Sequence, residues 1–142
     1  MTDENPDRSL VINTDAPPFC PEGWTVVEHK GLGEWGWSLQ RVSLYTASRQ
    51  GGGWDNGHRL YEKLKDKTVL NVTVLDFLLE NQRLISENWK DKYIFFWGTL
   101  YRDATQRLCI RFLYWDHDKW KWYHRWLVIG WNDDDPAILW RG

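Results

Sequence analysis

The sequence predicts an α+β domain, with helices early in the chain and an antiparallel sheet at its end. Three observations predict it. After Asn71, the residues Val74, Leu75, Leu78 and Leu79 recur at helical spacing. Beyond Trp89 that period stops, and segments rich in β-branched and aromatic residues follow. These segments are separated by short polar stretches of hairpin length.

Residues Met1 to Gly23 carry four of the five prolines and an acidic excess, which reads as an extended arm ahead of one domain over residues 24–142. Trp24 to Glu28 is short and β-rich, and Trp35 to Tyr45 alternates Trp35, Trp37 and Leu39 with polar neighbours, as a half-buried strand does. Gly51, Gly52 and Gly53 interrupt the pattern before Asp55, a candidate N-cap for a helix through Leu60, Tyr61 and Leu64. Asn71 caps the second helix, which ends near Glu80 and Asn81. Four strands follow, over Tyr93 to Arg102, Arg107 to Trp115, Trp120 to Val128 and Ala137 to Trp140. Asp103 to Gln106 and Asp116 to Lys119 read as hairpin loops, and Asn132 to Asp135 with Pro136 as a further turn.

At 142 residues and net charge −2, the chain is one domain's length and has no global field to recruit nucleic acid or an anionic membrane. Two cysteines, Cys20 and Cys109, form neither a disulfide framework nor a zinc-like cluster, which is compatible with the cytosol. The first residues are acidic and polar, unlike a signal peptide, and runs such as Tyr93 to Leu100 are too short to span a bilayer. The expectation is cytoplasmic synthesis, with display on a surface only by another route.

Aromatic residues set the chain apart: twelve tryptophans, six tyrosines and five phenylalanines. Half of the tryptophans (Trp115, Trp120, Trp122, Trp126, Trp131 and Trp140) fall in one C-terminal stretch. On a strand, Trp120, Trp122, His124 and Trp126 share one face, and Lys121, Tyr123 and Arg125 the other. The indoles gain most by leaving water and are expected in the core, so the other face and the loops are left to bind.

The residues between these tryptophans share a property of the genetic code. Randomising the two adenines of an asparagine codon reaches Asp, His, Tyr, Arg, Val, Ile and Gly, and never Glu, Gln, Met, Trp or a stop. Between Trp115 and Pro136 there are five aspartates and no glutamate, and the last glutamate of the chain is Glu87. The tryptophan codon contains no adenine, so such mutagenesis spares the framework. Lys119 and Lys121 stand outside the reachable set, since they need purine-ended codons.

Val69 to Leu79, Ile94 to Arg102, and the block from Leu113-Tyr114-Trp115 to Trp131-Asn132 that ends in Pro136-Ala137 resemble the variable proteins of diversity-generating retroelements. These systems copy a template repeat into a target gene while mutating its adenines. The resemblance covers about Ser38 to Ala137 and implies a C-type lectin-like fold with a variable region over about 114–136. It further implies a binding protein and not an enzyme, whose ligand is an unidentified protein or other macromolecule. The side chains it assigns to display are Asp116, Asp118, Lys121, Tyr123, His124, Arg125, Val128, Ile129, Gly130, Asn132, Asp133, Asp134 and Asp135.

Competing chemistries are weaker. Trp131-Asn132-Asp133 resembles the Trp-Asn-Asp motif of calcium-dependent lectins, but the upstream Glu-Pro-Asn or Gln-Pro-Asp loop is missing, and Asp133, Asp134 and Asp135 read as a solvated turn. A carbohydrate-binding module is the alternative function; it needs exposed indoles, with calcium as a possible aid. Lys119 to Trp126 interleaves cations and rings as a single-strand nucleic-acid platform does, against the acidity of the chain. No Ser-His-Asp order, HExxH, phosphate loop or GxGxxG is found, and His29, His58, His117 and His124 lack metal-site spacing. No cofactor and no metal are expected.

Overall fold

A computed structural model describes residues 10–46 and 55–142. The glycine turn at Gly51, Gly52 and Gly53 lies outside them. Among the described residues there are two α-helices, α1 (Gly57–Lys63) and α2 (Val72–Glu80), and eleven strands, an α+β architecture built around one large curled sheet.

The strands in chain order are β1 (Val11–Asn13), β2 (Thr25–His29), β3 (Glu34–Gly36), β4 (Val42–Tyr45), β5 (Asp55–Asn56), β6 (Ile94–Phe95), β7 (Thr99–Arg102), β8 (Leu108–Asp116), β9 (Lys119–Trp126), β10 (Gly130–Trp131) and β11 (Ala137–Trp140). The main sheet runs β2-β7-β8-β6-β11-β4, with β9 paired to β8. All its pairs are antiparallel except β11 with β6, which is parallel. β8 organises the sheet: its start pairs with β7, its middle with β6, and β9 runs beside it from Cys109↔Trp126 to Asp116↔Lys119. Two small ribbons, β1 with β3 and β10 with β5, complete the strands.

Residue alternation on β8 and β9 divides the core in two. Cys109, Leu113 and Trp120 join α2 (Val72, Val74, Leu75, Leu78) and the indoles of Trp35, Trp37 and Trp89 in one cluster. Ile110 and Phe112 face the other way, with α1 (Leu60), Phe95, Trp97, Leu127 and Trp131. α2 forms where its apolar positions recur, capped by Asn71, whose side chain accepts from Thr73 N–H.

The stretch read as an extended arm contains strand β1, an extended segment whose Ile12 packs into the core. Several other expectations are corrected. Trp35 to Tyr45 is not one strand: β3 ends at Gly36, and a 3-10 turn over Leu39–Arg41, capped by Ser38, comes before β4. The first helix is capped by Asn56, not Asp55; Asp55 is buried in β5 and binds Arg59 and Lys63 across the first turns of α1. Those two cations hold its carboxyl below the ordinary range, the Lys63 bond outweighing the opposing effect of burial. Tyr93 to Arg102 is broken into β6 and β7, because Gly98 passes so close to Leu70 and Asn71 that a Cβ there would meet backbone at 2.7 Å. β9 ends at Trp126, and Val128 and Ile129 lie in the turn that follows.

Candidate functional site

The segment from Tyr114 to Pro136 forms the end of β8, a tight turn, β9, a second turn, β10 and a third turn. Residues outside the segment hold it by its main chain. The Gln82 amide accepts from Trp120 N–H at 3.0 Å and donates to Trp120 C=O at 3.1 Å, so one side chain occupies the outer edge of β9 there as a neighbouring strand would. Gly57 N–H donates to Leu127 C=O at 2.8 Å, and a Cβ on Gly57 would collide with that oxygen. Tyr93 N–H and Phe95 N–H donate to the carbonyls of Asp134 and Pro136, each at 2.9 Å. None of these contacts reads a side chain of the segment.

The indoles supply the remaining anchorage. Trp120 and Trp131 are buried, and Trp122, Trp126 and Trp115 are half-buried against the first core cluster. The Trp126 indole N–H donates to the Asp103 carboxylate at 2.6 Å. Burial pushes the Asp103 carboxyl up, but hydrogen bonds from the Thr105 hydroxyl, Trp126 and the Arg107 and Thr105 backbone outweigh it and bring it to about 2. Trp122 lies over the guanidinium of the fully buried Arg111 at 3.9 Å, which itself grips Asp76 with two bonds of 2.8 and 3.1 Å.

The opposite face of β8 and β9 carries an aromatic platform. Phe112 is its floor, ringed by Tyr93 at 5.5 Å, Tyr114 at 5.8 Å and Tyr123 at 6.3 Å between centroids. Tyr123 is 58% exposed and Tyr93 43%, and Val128 and Ile129 are exposed as well. Lys121 pairs with Asp116 at the turn end, a contact that lowers the Asp116 carboxyl and raises the Lys121 ammonium. Tyr93 and Phe112 precede the segment, and only their place on one sheet face joins them to it. Neither their spacing nor the main-chain roles of Gln82 and Gly57 leave a mark in the sequence pattern.

The assigned display residues are not equally placed. Asp118, Tyr123, Val128, Ile129, Asp133 and Asp134 are exposed; Asp116, Lys121, Gly130 and Asn132 are half-buried. His124 lies on the indole face, edge-on to Trp24 at 4.9 Å, and its burial lowers the imidazole's basicity against the opposing charge of Asp103. Arg125 is drawn under the platform, 4.8 Å over Phe95 and 5.2 Å over Trp131. Its guanidinium donates to Asp135 at 2.9 Å, and the same Asp135 oxygen accepts from Asn132 N–H at 2.9 Å. The three aspartates are therefore not a uniformly solvated turn: Asp135 is buried, turned inward to pair with the half-buried guanidinium of Arg125.

The face offers aromatic contact area, tyrosine hydroxyls and a charged rim at Lys121 and Asp116. No described tryptophan is exposed, so exposed indoles for stacking on sugars are not found among the described residues. Asn132 Oδ1 accepts from Asp134 N–H at 2.9 Å, and no group of three or more His, Cys, Asp or Glu among the described residues could hold a metal ion. The thiol of Cys109 is buried in β8 and pushed up to about 12 by that burial. Among the described residues, no helix is long and apolar enough to cross a membrane. Comparison of the chain with protein-family models, with curated proteins and with solved structures finds no match.

Proposed function

We propose that this chain is a hypervariable ligand-binding protein, the variable protein of a diversity-generating retroelement, with residues 114–136 as its variable region on a C-type lectin-like scaffold. The observation that carries the reading is the separation of anchoring from display within that segment. Its tryptophans and main chain are held by Gln82, Gly57, Tyr93, Phe95 and Asp103, while Asp118, Tyr123, Val128, Ile129, Asp133 and Asp134 face out. A backbone held in this way tolerates exchange of the outward side chains, and these belong to the set reachable from asparagine codons. An α+β order, with two helices between five early and six late strands, is compatible with the scaffold assignment. Tyrosine-rich platforms bind well for a physical reason: a rigid ring gives large contact area for little lost rotamer entropy.

A library randomised together at Tyr123, Val128, Ile129, Asp133 and Asp134 tests the reading. Most members are expected to unfold within a few tenths of a kcal/mol per substitution of the parent, and selection against an unrelated protein target is expected to recover binders. Trp120→Ala or Trp131→Ala is expected to cost about 3 to 5 kcal/mol. Equal destabilisation by the two classes would remove the separation on which the reading rests.

A further inference from the structure

β1 is paired on one edge only. Trp37 N–H donates to Leu10 C=O at 2.7 Å and Thr14 N–H to Gly33 C=O at 3.0 Å, with Ile12 opposite Trp35 between them. In an antiparallel ladder the alternate residues, Val11 and Asn13, turn their main-chain groups away from the partner strand. Val11 presents its N–H and C=O to that second edge and Asn13 its N–H; the Asn13 carbonyl is taken by Ala16 N–H at 3.2 Å. No strand among the described residues pairs there.

This open edge borders a cleft of about 390 Å³ whose far wall is α2, contributing Thr73, Asp76, Phe77 and Glu80. The Thr73 hydroxyl is buried beside it with no hydrogen-bond partner. Phe77 and the 54% exposed Phe19 make the cleft apolar. Arg111 neutralises Asp76, and no ion pair to Glu80 is found among the described residues, so Glu80 leaves the cleft with a negative charge.

We propose that the cleft between β1 and α2 docks an extended, basic segment of a partner protein, whose main chain adds to β1 as a strand and whose Lys or Arg side chain reaches Glu80. A strand edge facing a helix across a groove is suited to this mode of binding, in which main-chain bonds give affinity and side chains give selectivity. All these residues lie outside the segment 114–136, so this partner stays the same whatever the variable face displays.

The test uses the full chain, labelled for NMR, and two blocked hexapeptides, Lys-Val-Lys-Val-Lys-Val and Glu-Val-Glu-Val-Glu-Val. The basic peptide is expected to shift the Val11 and Asn13 amide signals, slow their hydrogen exchange, and bind at least tenfold more tightly than the acidic one. Glu80→Gln, a surface change, is expected to weaken it at least threefold, and N-methylation at alternate peptide residues to abolish binding at unchanged charge. Equal affinity for the two peptides, indifference to Glu80→Gln or to N-methylation, shifts confined to 114–136, self-association of the chain through β1 in place of peptide binding, or no saturable shift would each overturn the proposal.

Discussion

The Trp126 indole N–H and the Asp103 carboxylate meet at 2.6 Å and tie the end of β9 to the loop between β7 and β8. Asp103 is 5% exposed, and its carboxyl lies at about 2 in the fold, against an unfolded value near 4. A carboxyl lowered on folding stabilises the protein above the unfolded value, and that stability is lost as the pH falls toward the folded one. Denaturant titrations are expected to show about 2 kcal/mol lost between about pH 4 and pH 2. Asp103→Asn is expected to flatten that stretch; an unchanged slope counts against the role of Asp103.

Arg125 and Asp135 form an ion pair at 2.9 Å among the positions proposed for display. With the Asp135 side chain 3% exposed, removing Arg125 leaves a buried charge uncompensated. Arg125→Ala and Asp135→Ala are each expected to destabilise by about 2 to 4 kcal/mol, with the double variant less destabilised than their sum by about 1 kcal/mol or more. A double-mutant cycle by urea unfolding measures this. Additive losses would return both residues to the set of independent display positions.

The turn between β8 and β9 closes by a bond from Asp118 N–H to Asp116 C=O at 2.6 Å, with His117 at φ 62°. Asparagine adopts positive φ at lower cost than histidine. His117→Asn is therefore expected to raise stability by about 0.5 kcal/mol and His117→Gly by about 1 kcal/mol, as read from the urea midpoint at constant slope. A loss in both variants would show that the histidine side chain holds the turn.

The two thiols differ in environment: Cys20 is exposed and donates to Trp24 C=O at 3.2 Å, while Cys109 is buried. Ellman's reagent at pH 8 is expected to titrate one thiol per native chain and two in denaturant. Rapid reaction of both in the native protein would contradict the burial of β8.

The legible parts of the sequence were those in which period alone decides the structure. Val74, Leu75 and Leu78 form the buried stripe of α2, and Trp120, Trp122, His124 and Trp126 share a face of β9, as their spacing requires. Positions decided by long-range approach were hidden. Asp55 carries the signature of a cap yet is buried beneath Lys63, and Gly98 breaks an apparently continuous strand because Asn71 lies against it. In the candidate site, exposure of Tyr123 follows from alternation, whereas the inward turn of Asp135 depends on Arg125 ten residues earlier. Gln82 lies 38 residues from Trp120, and its contact is with main chain, which no residue pattern records.

Whether residues 114–136 are rewritten at adenines while their tryptophans stay fixed is read by sequencing the genomic locus that encodes this chain. The expected result is a nearby near-repeat of the DNA for about Tyr114 to Pro136, differing almost only where the repeat has adenine, beside a reverse transcriptase gene. The absence of such a repeat, or mismatches spread over all four bases, would contradict such rewriting.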